Sequence, residues 1–428
     1  MRKRVFRPAN RTPLAVALIT ASTGELHCLL PILRLAKDAH PRLGIVVAFR
    51  QQWTRSRVAD DHAFSAILRD LGAALVDSGE LFRLALTRRR DIRLIFKEYG
   101  PTPTESMPVL LKQACPGARL ILFPHAYALH SSGQAPPAAE YGRTKKDFDQ
   151  EAIDTLLVSS PLDVEPWSSR LEQRKILVAG ATGYSRWWTA ILERYAHDQL
   201  GGLRAQAAGR KIVFLTTRGP HHSFLTEENY RYLLTNAIEA VLARTGTFIV
   251  LKPHPREDVD RLRELLARYP LDRVALTGLN TLAVASISAL NLSFWSSAVL
   301  DSIAVGTPAI EFHRFHAPLS QSVIDSAGEI ASLYTSLGLA MKASTRESLD
   351  QALTAVFDDR DGVLRRQQEA LAACFPQNEA LLGTLRELLS DFLEAPERQT
   401  TLRTVAASVL KLARAATGDL MQGLRERP

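Results

Sequence analysis

A chain of 428 residues with 46% hydrophobic side chains is long enough for two or three domains and apolar enough to bury their cores. A net charge of +8 and a pI near 9.5 admit an anionic partner. Only 7% of the residues are aromatic and no basic-aromatic motif appears, which argues against nucleic acid. Three widely spaced cysteines, Cys28, Cys115 and Cys374, give neither a disulfide framework nor metal-ligand spacing, so a cytoplasmic setting is expected.

Arg2, Lys3, Arg4 and Arg7 precede the apolar run 13–19, the outline of a secretory signal. The preferred reading is a basic tail before a first strand, because a helix with a plausible functional turn follows at once. No apolar run reaches the roughly 18 residues of a membrane span, so the protein is expected to be soluble or peripheral.

Strand and helix then alternate. Residues 14–19 read as a strand and 26–39 as a helix that Pro31 starts or kinks. Strands follow at 44–49 and 73–76, with a helix at 63–71 between them. Helical patterns are expected over 81–99 and 108–114, and strands at 119–123, 155–158 and 175–178. After Gly180-Ala181-Thr182-Gly183 a helical connector runs through Trp187 and Trp188 to Leu203. The alternation restarts with strands at 211–215, 247–251, 273–276, 289–292 and 308–312, and from about Leu364 the chain is helical. The expectation is an α/β protein with two tandem Rossmann-like domains facing a cleft and a helical C-terminal extension. The boundaries are 1–184, 185–375 and 376–428.

The tail repeats Leu402, Val405, Val409 and Leu412 at helical spacing, beside Arg403, Lys411, Arg414, Arg425 and Arg427. Such a basic amphipathic helix suits either an anionic inner-membrane surface or packing on the body of the protein.

Ligands of open α/β sheets bind beyond the carboxyl ends of the strands. Lys252-Pro253-His254-Pro255 directly follows a buried-strand pattern, and its cations and rigid prolines suit a phosphate-bearing ligand. Ser296-Ser297 occupies a second such edge, where a serine can cap the next helix and its free N–H groups can meet a phosphate. Asp301 lies one turn on, on the face of Ser297, where a carboxylate can accept ribose hydroxyls.

This order of strand, Lys-Pro-His-Pro, Ser-Ser and Asp301 through Ile310 resembles the donor half of GT-B-fold glycosyltransferases. It is most similar to the bacterial surface-polysaccharide group of sialyl-, polysialyl- and Kdo-transferases and poly(glycerol phosphate) polymerases. The resemblance implies that His254, Pro255, Ser296 and Ser297 hold the donor phosphate, beside the strand-end cation Lys252. It places Asp301 on the ribose, where the family usually has Glu. Thr216, Thr217 and Arg218 would face the diphosphate or sugar. Gly180-Ala181-Thr182 stands where the family has Gly-Asn-Pro. The two glutamates of retaining relatives, with seven residues between them, are absent, Ser293 and Asp301 standing in their places, which favours inversion.

An inverting transfer needs a general base from the first half. Ser22-Thr23-Gly24-Glu25 resembles the Ser-Val-Gly-Glu turn of lipid A Kdo transferases and makes Glu25 one candidate. His125, after Glu25, is the second candidate, although Ala126 follows it where relatives carry Gly; it could also bind acceptor or donor phosphate, or be a loop histidine. His221-His222 read as an ordinary polar loop, Arg256 could add charge beside the Lys-Pro-His-Pro edge, and His313, Arg314 and His316 either close over the donor base or are solvated. Arg88, Arg89, Arg90, Lys145 and Lys146 could meet an anionic acceptor or simply be solvated. No metal and no cofactor is expected beyond the nucleotide sugar, with a surface glycan or glycolipid as acceptor. Two other readings compete: a UDP-N-acetylglucosamine 2-epimerase-like isomerase, whose His-Arg-Arg-Glu-Asn segment loosely resembles residues 254–258, and a non-catalytic sugar-nucleotide or glycan-binding module.

Overall fold

The computed structural model describes residues 12–20, 24–50, 55–56, 58, 61–100, 102–125, 127, 148–220, 225–254, 257–314, 322–325, 328–377, 379–398 and 401–425. Its apolar runs become buried parallel strands. The first sheet contains β1 (Leu14–Ile19), β2 (Gly44–Phe49), β3 (Ala74–Val76), β4 (Ile92–Glu98), β5 (Arg119–Phe123), β6 (Thr155–Val158) and β7 (Ile176–Val178). Their spatial order is β3-β2-β1-β4-β5-β6-β7, parallel throughout. The second sheet contains β8 (Lys211–Thr216), β9 (Thr247–Lys252), β10 (Val274–Leu276), β11 (Leu290–Ser293) and β12 (Ala309–Phe312). After the small antiparallel pair β13 (Ser322–Ile324) and β14 (Ile330–Ser332), β15 (Met341–Ala343) completes it in the parallel order β10-β9-β8-β11-β12-β15. The strand order reverses beside β1 in one sheet and beside β8 in the other, so each half has its own switch-point crevice.

One expectation fails. Residues 81–99 do not form one helix: a helix spans Ser78–Thr87 and the chain then enters β4 at the centre of the first sheet. A strand buried on both faces loses the period-2 signature, so its apolar run reads equally well as helix.

The halves share one apolar cluster that includes Leu26, Trp188, Leu300, Tyr334 and Leu385. The helix Arg186–Ala207 helps to join them, packing on both His62–Asp70 and Thr281–Ser286. The chain then returns to the first half: Leu382, Leu385 and Leu389 of the helix Glu379–Glu394 are buried in that cluster. The last helix, Leu402–Arg425, lies on the helices Ser78–Thr87 and Met107–Ala114. Val405 and Leu412 are buried, Ser408 donates to Gln113 at 2.9 Å and Lys411 meets Glu105 at 2.7 Å. The apolar stripe that suited a membrane surface is thus covered by protein at Val405, Val409 and Leu412. No helix among the described residues is long and apolar enough to cross a membrane.

The outgoing and returning segments touch at Gly180. Its φ is +68°, and a Cβ there would run into the carbonyl oxygen of Pro376. Gly180→Ala therefore combines a left-handed alanine with a backbone clash and is expected to cost about 2 kcal/mol or more. Urea unfolding checks this: the midpoint falls with an unchanged slope, whereas an unchanged midpoint removes the constraint.

Candidate active site

At the first switch point the helix Gly24–Ala39 starts just beyond β1. Glu25 folds back and accepts hydrogen bonds from the Thr20 backbone N–H at 2.9 Å and the Thr20 hydroxyl at 3.3 Å. Its side chain is fully enclosed, while His125, beyond β5, is 41% exposed. Nδ1 of His125 lies 4.0 Å from Oε1 of Glu25. The two base candidates are therefore neighbours, and only the histidine reaches solvent.

At the second switch point, Lys252 ends β9 and its ammonium donates to the carbonyl of Leu279 at 2.7 Å. Burial pulls the Lys252 pKa down, while Asp61 and Asp301 oppose that shift. His254 is partly exposed, and its backbone N–H donates to Glu257 Oε2 at 3.0 Å. Glu257 also accepts from the Thr217 hydroxyl at 2.7 Å and from the Tyr230 hydroxyl. One carboxylate thus ties the β8 loop to the β9 loop. Burial raises its pKa, against the lowering effect of these three donors. Pro255, Arg256, His221, His222, His316, Lys145, Lys146 and the Ser22-Thr23 pair lie outside the described residues.

Between β11 and the helix Ala298–Ala304, Trp295 adopts φ +56°. A bulky residue in the left-handed region is strained. The Arg218 guanidinium lies over the Trp295 ring, 5.6 Å from its centroid. Ser296 supplies the side-chain acceptor for the Ala298 N–H at 3.3 Å, and Ser297 makes no such bond. Both serines are partly exposed. Asp301 accepts from the Tyr184 hydroxyl at 3.0 Å and lies 3.4 Å from His27 Nε2. The residue expected at the ribose therefore ties the second half to the first and to the crossing segment. A ribose hydroxyl at Asp301 would compete with Tyr184.

Four participants escaped the sequence. His27 sits two residues beyond Glu25 and was hidden in an amphipathic helix. Tyr184 and Glu257 gained their roles only through long-range contacts. Glu311 left a legible signal, a lone acid inside Ala309-Ile310-Glu311-Phe312. It lies in register with Ser293, which in turn pairs with Thr216 and thereby with Lys252, so a polar row crosses the carboxyl edge of the sheet. Glu311 is fully buried and accepts from Ser332; burial pushes its carboxyl up to about 8, with Ser332 and Arg218 opposing. His313, left open between a donor-closing and a solvated role, is instead 2% exposed, and burial pulls it down to about 4. Arg314 lies over the Tyr232 ring at 4.6 Å, and Arg88 pairs with Asp91 at 2.8 Å. No group of three or more His, Cys, Asp or Glu side chains with metal-binding geometry occurs among the described residues.

No protein-family model matches the chain, and no curated protein matches it either. Solved structures do. A putative UDP-N-acetylglucosamine 2-epimerase from Listeria monocytogenes aligns with TM-score 0.57 at 12% identity, covering 91% of this chain and 100% of that one. The UDP-GlcNAc 2-epimerase of Neisseria meningitidis bound to UDP-GlcNAc gives 0.54 at 12% identity, over 89% and 99% of the two chains. The wall teichoic acid polymerase TagF with CDPG gives 0.54 at 11% identity, over 89% and 88%. The architecture is the GT-B fold.

Glu311 and His313 set opposite pH dependences. The folded Glu311 carboxyl titrates above its ordinary 4.5, so stability is full below that value and falls as pH rises toward 8. The folded His313 titrates below its ordinary 6.5, so its contribution is full above that value and is lost as pH falls toward 4. Glu311→Gln removes only the first slope. Calorimetry should show its melting temperature gaining on the wild type as pH rises from about 5 to about 8; a constant offset contradicts the assignment.

Proposed function

We propose that the protein is a glycosyltransferase that moves a sugar or sugar-like unit from a nucleotide donor to a bacterial surface glycan or glycolipid. The observation that carries this reading is the opposition of two differently equipped switch points. One holds an exposed histidine backed by a buried carboxylate. The other gathers Thr216, Thr217, Arg218, Lys252, His254, Ser296, Ser297 and Asp301 at the carboxyl edge of a second Rossmann-like sheet. His125 acts as the base and takes the proton of the acceptor hydroxyl, with the Glu25 carboxylate 4.0 Å from its Nδ1. The acceptor oxygen then bonds to the donor's anomeric carbon from the face opposite the nucleotide, and the bond to the departing phosphate oxygen breaks with inversion. Lys252, His254 and Arg218 balance the phosphate charge without a metal. The His-Pro and Ser-Ser pair favours a cytidine donor such as a CMP-linked keto acid.

The fold likeness to proteins whose structures hold UDP-GlcNAc or CDPG supports a nucleotide-sugar pocket. Likeness to epimerases, together with Glu257 accepting from the His254 N–H, supports a second reading as a UDP-N-acetylglucosamine 2-epimerase. Incubation with UDP-N-acetylglucosamine separates the two: release of N-acetylmannosamine selects the isomerase.

Thermal shift with CMP, CDP, UDP, GDP and their sugars tests the pocket. A nucleotide at 100 times its Kd stabilises the native state by about 2.7 kcal/mol, and His254→Ala should abolish that shift. If none of these ligands raises the melting temperature, the donor site is wrong. With the donor identified, His125→Ala should lower kcat by about 10²- to 10⁴-fold and leave nucleotide affinity unchanged. Equal turnover in wild type and variant would remove His125 from the chemistry.

A further inference from the structure

We propose that a cavity of about 260 Å³ at the carboxyl edge of the first sheet binds a pyranose ring carrying a carboxylate or phosphate. Its role as the subsite for the acceptor's anionic end sugar rests on the transferase reading; the binding itself does not.

The cavity lies beyond β1, β2 and β4, where the helices Ser78–Thr87 and Met107–Ala114 begin. Leu18, Ala48, Leu81 and Met107 make its wall largely apolar, which suits the C–H face of a sugar ring. Arg50, Lys97, Ser78 and Ser106 supply the polar lining. Lys97 is 6% exposed and is occupied by the carboxylate of Glu98 at 3.2 Å and the carbonyl of Gly100 at 3.3 Å. Arg50 is exposed and brings a cation to the cavity.

Nearby acids are already engaged. Asp77 and Glu80 form the capping box of the first helix, and Glu98 also accepts from the Gly100 N–H at 2.8 Å. Ser106 stands at the N-cap of the second helix without making the side-chain cap bond, and its buried Oγ has no hydrogen-bond partner among the described residues. The start of the second helix, which no carboxylate caps, adds positive potential to that of Arg50. Thr20 belongs both to the cavity lining and to the hydrogen bonds of Glu25, so an occupant would sit beside the Glu25–His125 pair. The volume is below the roughly 300 Å³ at which drug-sized pockets begin, so it fits one ring and its charged group.

The test uses D-glucuronate and α-D-glucose 1-phosphate as probes, titrated by saturation-transfer NMR with CMP and UDP present at saturation. Ser106→Asp keeps a favoured N-cap residue but sets a carboxylate in the cavity; Ser106→Asn is its neutral counterpart. At least one probe should bind the wild type, Ser106→Asp and Arg50→Ala should weaken it by about tenfold, and Ser106→Asn by no more than about twofold. Circular dichroism checks that each variant is folded. Failure of both probes to bind, equal weakening by Asn and Asp, or displacement of the probes by nucleotide overturns the proposal. Probe binding in a protein that no nucleotide stabilises leaves the cavity assignment standing and defeats the transferase reading instead.

Discussion

The double crossing of the chain between the halves is the constraint on which the rest depends. Gly180, left-handed and pressed against the Pro376 carbonyl, places the outgoing and returning segments in contact. Ser160 reinforces the return by donating to the Cys374 carbonyl, and Phe375 is fully buried beside it. From this crossing, Tyr184 reaches Asp301 in the second half, while the Gly183 N–H donates to Tyr127 in the first, so the crossing segment is tied to both. Because the apolar cluster is continuous through the crossing, the strand edges that carry the polar residues are set opposite one another by packing.

That packing brings charges together that no local pattern could pair. Lys252 feels Asp61 from the first half as well as Asp301 from its own. His27 meets Asp301 across the cleft and packs edge-on against Tyr127 at 5.3 Å. Cys28, buried in the same place, has its thiol pushed well up, first by burial and then by Asp301. The cleft is thus lined by polar groups in a low-dielectric setting, where a change of partner carries a larger electrostatic consequence than it would in water. Asp301 is the centre of this arrangement, since its carboxylate serves the tie between halves in the position expected to serve a ligand.

Motif and placement agree most closely at strand ends. The Lys252–His254 edge, the Ser296-Ser297 turn and the Thr216–Arg218 loop were legible because each is the few residues after an apolar run, and chain order alone puts such residues at the ligand edge. The proposed base was half legible. Glu25 and His125 were each visible as an edge residue, but they lie 100 positions apart in the sequence, and which of them is exposed depends on the fold of Glu25 back onto Thr20.

The sequence by itself determined the two-sheet α/β architecture, most of the strands and which loops stand at the carboxyl edge of the second sheet. Hydrophobic runs and turn residues act over a few neighbours, so they can be read from those neighbours. Tertiary structure decided that 92–98 is a central strand, that the Val405 and Leu412 stripe lies against protein, that Glu257 joins two loops, and that Asp301 answers to Tyr184 and His27. Each of these depends on partners brought close only after long segments have packed, and neither periodicity nor spacing encodes the identity of a partner a hundred residues away.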